Sequence, residues 1–267
     1  MRACPVFASV LFVIVSSSSA HPGESLIQLF QQPPADRETQ SANGWNPNDR
    51  SPNVHVSADH LEARYTGVAS TDAVRGMVGY TSGLHVWEVT VNNAHSTPRH
   101  TMLGVGTEEA PLHRPGSSVV LVGSTDNSWG WELQRFLFFH SGSWRHYRPD
   151  TETLQSWWDR TIRSQVAQFK MVLDMDQGTL GFMVDNKYLG DAPIRRSLKG
   201  LRVYVMASVA QSADSIIKIR YIGGQYAVPK LKDLSALAVR RRLKQTKDIN
   251  QLPITGGIKK YLKNILK

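Results

Sequence analysis

Met77-Val78-Gly79-Tyr80-Thr81-Ser82-Gly83-Leu84-His85-Val86-Trp87-Glu88-Val89-Thr90-Val91 is the stretch on which the fold turns. Its second half, Leu84–Val91, alternates apolar and polar residues with a period of two, the pattern of a strand with one buried face. Thr81-Ser82-Gly83 supplies a turn between that strand and Met77–Tyr80. Working outward, segments of the same scale recur at Met102–Gly106, Val119–Val122, Trp129–Leu133, Arg135–Phe139, Phe169–Asp174, Leu180–Val184, Val203–Ser208 and Ile216–Tyr221. Short strands rich in Val, Phe and Trp, parted by Gly, Asn, Asp and Ser, indicate an all-β chain built as an antiparallel β-sandwich. Hairpin turns are expected at Asp176-Gln177-Gly178 and Asp185-Asn186-Lys187, where short polar residues accept the left-handed conformation. No long 3.6-residue period is read between the strands. Glu152–Ser164 reads as a loop insertion that packs partly through Trp157-Trp158.

The ends of the chain differ from this body. Residues 1–20 resemble a secretory leader, with Arg2, the apolar run Val6–Val15 and small residues at Ser17–Ala20. That run is too short to span a bilayer, and no later segment approaches about 18 unbroken apolar residues, so no transmembrane segment is expected. Cys4 is the single cysteine and no Asn-x-Ser/Thr sequon occurs, features that fit a cytosolic chain better than a secreted one. Residues 21–39 are a polar lead-in, 40–229 the β domain and 230–267 a separate unit. This last unit holds eleven Lys/Arg against Asp233 and Asp248, a net +9, which equals the charge of the whole chain of 267 residues. The body is therefore balanced. Leu231–Leu243 and Ile258–Leu266 read as helices, the second with apolar residues at i, i+3, i+4, i+7 and i+8 and lysines between them.

Chemistry-bearing motifs are weak. Asp174-x-Asp176-x-Gly178 lacks the spacing and closing Glu of a calcium loop and reads better as a strand end and hairpin. The nine histidines show no zinc spacing, and His85 reads as a packed residue. Pairs such as Asp72 with Glu88, or Asp174 with Asp185, have nothing to single them out as acid and base. No catalytic residue, metal ligand or cofactor is assigned. Arg240-Arg241-Arg242-Leu243-Lys244 has the charge for phosphates, but Tyr261 is the tail's one aromatic, so nucleic acid is not the expected partner. An amphipathic helix with this stripe suits a protein groove.

Several segments together carry a family resemblance: Trp45–Val54, Ser70–Tyr80 running into Gly83–Trp87, Ala110–His113, Ser128–Trp131 and Val172–Leu180. In sequence and order they resemble the SPRY domain of the SPRY domain-containing SOCS box proteins, across most of residues 40–225. That resemblance implies a concanavalin-like SPRY sandwich followed by a small C-terminal helical SOCS box. The tail is similar to such a box. Leu231, Ser235 and Val239 occupy the Leu-x-x-x-Cys-x-x-x-aliphatic positions that contact elongin C, with Leu234 inside the helix and Ser235 in place of Cys. Leu252-Pro253-Ile254 matches the element that selects the cullin scaffold, with Thr255 in place of a second proline.

The same resemblance implies a shallow pocket for a short peptide segment of a protein substrate. Arg64 matches the ligand-engaging arginine of the family, and a guanidinium offers several donors to carboxylate or amide oxygens. Thr66 and Val68 stand where the family has Pro and Ala. A pocket tyrosine is replaced around Ser117, and Val-Trp-Gly becomes Val209-Ala210-Gln211. The implied function is a non-catalytic, cytoplasmic substrate adaptor of a cullin-RING ubiquitin ligase, joined through elongin B/C. A secreted SPRY-like binding module with a basic tail and no ligase role is the alternative, which residues 1–20 keep open.

Overall fold

The computed structural model describes residues 35–92, 101–116, 120–147, 151–210 and 214–225. A short helix α1 (Arg37–Ala42) opens it, capped by Asp36, whose carboxylate accepts the Thr39 N–H at 2.7 Å. Fifteen strands follow among the described residues: β1 (Trp45–Arg50), β2 (Val54–Val56), β3 (Glu62–Tyr65), β4 (Ser70–Tyr80), β5 (Leu84–Asn92), β6 (Met102–Gly106), β7 (His113–Pro115), β8 (Ser128–Glu132), β9 (Leu137–His140), β10 (Ser143–His146), β11 (Val166–Asp174), β12 (Thr179–Val184), β13 (Lys187–Asp191), β14 (Val203–Ala210) and β15 (Ser215–Gln225). A second helix, α2 (Thr151–Ser164), stands between β10 and β11.

These strands form two antiparallel sheets. One runs β1-β4-β14-β6-β8-β9-β10, with β7 also paired to β4; the other runs β13-β12-β11-β5-β15-β3-β2. The opening stretch of sequence supplies the adjoining ends of β4 and β5, one in each sheet. On β5 the period of two sends Trp87, Val89 and Val91 into the core, while Glu88 and Thr90 stay partly exposed. Phe169, Met171 and Leu173 of β11 and Ile217, Ile219 and Tyr221 of β15 join them from the flanking strands. Trp45, Val74, Leu103, Val105, Trp129, Trp131 and Val205 belong to the same core from the opposite sheet. Burying each such side chain contributes roughly 1.5–3 kcal/mol, so this interface dominates the stability. Trp131 is its hub, with ring centroids 4.7 Å from Phe182, 5.6 Å from Phe169 and 5.9 Å from both Tyr147 and Trp157.

The hairpin expected at Asp185-Asn186 is present. Both residues have positive φ, 49° and 60°, between the paired Val184 and Lys187, as a two-residue turn requires. Asp174 closes the other turn by accepting the Gln177 N–H at 2.8 Å, and Asp176 accepts the Gly83 N–H at 2.9 Å. Both carboxylates of the calcium-like motif therefore serve the backbone. His85 is fully buried, its Nδ1 2.9 Å from the Tyr221 hydroxyl and its Nε2 2.9 Å from the Ser82 carbonyl.

Two expectations are corrected. Residues 151–164 are a helix, not a loop: Leu154, Trp157, Trp158 and Thr161 are buried at i, i+3, i+4 and i+7. Trp157 donates its indole N–H to the Gln168 carbonyl at 2.9 Å and stacks on Trp131, which fixes the helix to the sandwich. Of the expected strand Val119–Val122, residue 119 lies outside the described residues and 120–122 are not in a strand. Leu121 and Val122 instead lie in a second apolar cluster with Ala73, Met102, Phe139 and Met206. Gly130 permits this approach, because a Cβ there would stand 2.9 Å from the Val122 side chain and carbonyl.

No helix among the described residues is long and apolar enough to cross a membrane. The leader-like residues 1–20 and the tail 230–267, including both expected tail helices, lie outside the described residues.

Candidate functional site

Strand β3 sets the first element of the site. Alternation along Glu62-Ala63-Arg64-Tyr65 buries Ala63 and Tyr65 and turns Arg64 outward. Tyr65 anchors the strand across the sandwich by donating its hydroxyl to the Ala207 carbonyl at 3.2 Å. Burial, reinforced by the nearby Asp72 charge, holds the Tyr65 phenol well above its ordinary pKa. Arg64 lies between His55 of β2 and Ile216 of β15 in register. Its guanidinium Nη1 is 3.5 Å from an oxygen of Asp214, and both side chains are about half exposed.

The chain then leaves β3 through residues 66–69. Thr66 donates its N–H and its hydroxyl to the Asn53 carbonyl, at 2.9 and 3.1 Å. Val68 is 68% exposed, the most exposed of the large apolar residues described. Between them, Gly67 sits so close to Asp72 that a Cβ would come within 2.0 Å of the carboxylate, so this position tolerates no side chain. The loop is thus draped over a carboxylate.

Asp72 is 1% exposed and organises everything around it. Its Oδ1 accepts from Ser51 Oγ at 2.5 Å, from His113 Nδ1 at 2.9 Å and from Asn53 Nδ2 at 3.1 Å; its Oδ2 accepts from Ser70 Oγ at 2.6 Å. Burial by itself disfavours the charged form. Donation from Ser51, Ser70, His113 and Asn53 outweighs it and holds the carboxyl below its ordinary range. Four segments meet here: the β1–β2 link, the start of β4, β7 and, through Asn53, the 66–69 loop. Gly116 adds a further tie, its N–H donating to the Ala69 carbonyl at 3.0 Å.

Ser51, His113 and Asp72 resemble a hydrolytic triad in composition only. In a working triad the imidazole stands between hydroxyl and carboxylate, using one ring nitrogen for each. Here the hydroxyl and the imidazole Nδ1 both bond to the same carboxylate oxygen, that same Nδ1 is the ring nitrogen 3.3 Å from the hydroxyl, and Ser51 is buried. The cluster is a brace. Glu88, the other carboxylate considered with Asp72, meets Arg220 Nη2 with both oxygens at 3.0 Å.

Arg64, near the end of β3, and Thr66 and Val68, in the loop that follows it, are all exposed and form the candidate rim. Val209 and Ala210 stand opposite Asp72 and Thr71 in the ladder, so they border the same cluster. Both are only 3% exposed, which leaves their side chains inside. Ser117 and Gln211 lie outside the described residues, as do Leu231, Leu234, Ser235, Val239, Leu252, Pro253 and Ile254. Sequence reasoning missed Ser51, Asn53, Ser70, His113 and Asp214. Only the alternation Ser70-x-Asp72 hinted at a shared face.

Comparison with known proteins gives a consistent picture. The family model described as the SPRY domain matches residues 84–219. SPRY domain-containing SOCS box protein 1 of Homo sapiens is 38% identical over 239 residues, covering 88% of this chain and 85% of its own length. Protein gustavus of Drosophila melanogaster is 36% identical over 245 residues, covering 88% and 83%. SPRY domain-containing SOCS box protein 2 of Homo sapiens is 35% identical over 243 residues, covering 90% and 89%.

Proposed function

Because this chain belongs to the SPRY domain-containing SOCS box proteins, we propose that it acts as a substrate adaptor of a cullin-RING ubiquitin ligase in the cytosol. The SPRY sandwich holds a protein substrate through a short peptide segment at the Arg64, Thr66 and Val68 rim. The SOCS box, residues 230–267, binds elongin B/C through Leu231, Leu234, Ser235 and Val239 and a cullin scaffold through Leu252, Pro253 and Ile254. The adaptor's contribution is proximity: it raises the effective concentration of substrate lysines beside the ubiquitin-loaded enzyme. Such work asks nothing of a catalytic side chain.

One observation supports the recognition half most directly. Arg64, Thr66 and Val68 are exposed, yet the loop that carries two of them packs closely over a buried carboxylate and is tied by hydrogen bonds to Asn53 and Gly116. A surface held in place before it meets its ligand loses less conformational entropy on binding.

The decisive experiment is capture of purified elongin B/C by the full chain, with Leu231→Asp as the variant. Retention by the wild type at micromolar concentration, lost in the variant while the sandwich unfolds at the same urea concentration, supports the proposal. A wild-type chain that ignores elongin B/C refutes it. Residues 1–20 favour a second reading, a secreted binding module, for which cleavage after Ala20 and recovery from culture medium are the deciding observations.

A further inference from the structure

Strand β14 ends at Ala210 and β15 begins at Ser215. Immediately before β15, Asp214 adopts φ 71°, in the left-handed region, and its N–H donates to the Tyr65 carbonyl at 2.9 Å. From there β15 zips onto β3, with Ser215 opposite Tyr65 and Ile216 opposite Arg64. Gly, Asn and Asp are the residues that accept this conformation readily. Gly or Asn would serve the backbone equally well. Asp alone adds a charge, and the strand register delivers it 3.5 Å from Arg64 Nη1. Among the described residues, Asp214 is the polar partner that Arg64 has.

We propose that Asp214 is a specificity-determining residue of the rim, a carboxylate of the chain's own that biases Arg64 against acidic ligand groups and toward neutral oxygen acceptors. The inference rests on the reading of Arg64 as a ligand contact. A guanidinium carries five N–H donors, and one facing carboxylate leaves several unused. A carboxamide or a backbone carbonyl from a peptide accepts from those while the Arg64–Asp214 pair stays in place. An incoming carboxylate must either displace Asp214 or sit within a few ångströms of a like charge. The class of ligand selected is therefore an extended peptide that meets Arg64 through a side-chain amide or a main-chain oxygen. Because the pair is exposed, it contributes little to folding, so its effect falls on selectivity.

The test uses the full-length protein and an array of eight-residue peptides in which Asp and Asn are exchanged at each position. The strongest-binding Asp/Asn pair is then titrated against wild type, Asp214→Asn and Arg64→Ala. Asn keeps both the size of the side chain and the left-handed backbone, so the variant removes only charge. The wild type is expected to prefer the Asn peptide. Asp214→Asn is expected to tighten the Asp peptide roughly twofold to fivefold, the range of an exposed ion pair, and to leave the Asn peptide within about twofold of wild type on the same scale. Arg64→Ala should weaken both.

An unchanged Asp/Asn ratio in Asp214→Asn, with Arg64→Ala still impaired, overturns the role of Asp214 while the peptide rim stands. An Arg64→Ala variant that binds as wild type overturns the rim assignment and this inference with it. If the wild type retains no peptide of the array, both fall together.

Discussion

Replacing Asp72 is the sharpest perturbation that the site offers. Removing the carboxylate in Asp72→Ala strands four donors. The Ser51 and Ser70 hydroxyls are 1% and 6% exposed by residue and have little water to turn to, at a cost of about 1–3 kcal/mol each. Asn53 and His113 are closer to solvent and lose less. Relief of the carboxylate's own burial offsets part of this, leaving an expected loss of about 3 kcal/mol, within a range of roughly 2–5. Asp72→Asn keeps the shape and one acceptor but exchanges charge-assisted bonds for neutral ones, so about 1–2 kcal/mol is expected. The assay is urea unfolding at pH 7, with the midpoint read at constant slope. The sign of the pH dependence follows from the lowered carboxyl pKa. The stabilisation is complete above the unfolded-state value near 3.9 and is lost as pH falls through the lower folded-state value. The gap between wild type and Asp72→Asn should therefore hold from neutral pH to about 5 and narrow below about 4. An Asp72→Ala variant that loses less than about 1 kcal/mol, below the cost of even one orphaned hydroxyl, would refute the idea that this carboxylate braces the rim.

Trp157→Ala should cost about 3–5 kcal/mol in the same assay, because it empties a large side chain from the aromatic hub and removes the bond to Gln168. Arg75→Met should cost about 2–4 kcal/mol by leaving Asp49 and the Thr107 and Ala110 carbonyls without their buried partner. Val68→Asp, at an exposed loop position, should leave the urea midpoint unchanged within about 0.5 kcal/mol, yet weaken capture of a peptide ligand in a binding titration. His85 is held neutral by burial, which depresses its imidazole pKa. Its contribution is present above the unfolded value near 6.5 and lost as pH falls through the folded one. A decline in stability below about pH 6.5 should accordingly shrink in His85→Gln.

What the sequence disclosed depended on how far apart the cooperating residues lie. Leu84–Val91 reveals a strand because alternation is a property of neighbours, and the Asp185-Asn186 turn is legible for the same reason. Val119–Val122 misleads because a short apolar run has no period, so a strand and a segment lying on a sheet look alike. The helix at 151–164 was obscured by having only four buried positions, two of them adjacent at Trp157-Trp158. Asp72 stayed hidden for a different reason. Ser51, Asn53 and His113 lie 21, 19 and 41 positions away from it, and only the pairing of β4 with β7 and the path of the β1–β2 link bring them together. Arg64, Thr66 and Val68 were singled out by their likeness to a family, not by any property that three such residues show alone.

On the proposed reading, what holds the rim is separate from what the rim selects. Asp72, Ser51 and Ser70 are buried, so altering them changes stability first and binding as a consequence. Arg64 and Asp214 are half exposed and joined by a pair that adds little to folding. If the proposal holds, substitutions there shift the ligand preference of the surface while the sandwich remains intact. Two variants therefore divide the question cleanly. Asp72→Asn should move the urea midpoint and weaken peptides of either charge alike, whereas Asp214→Asn should leave the midpoint in place and change only the ratio between acidic and neutral peptides. If both variants moved both quantities together, bracing and selection would share one set of contacts, and the division drawn between the buried cluster and the exposed pair would have to be abandoned.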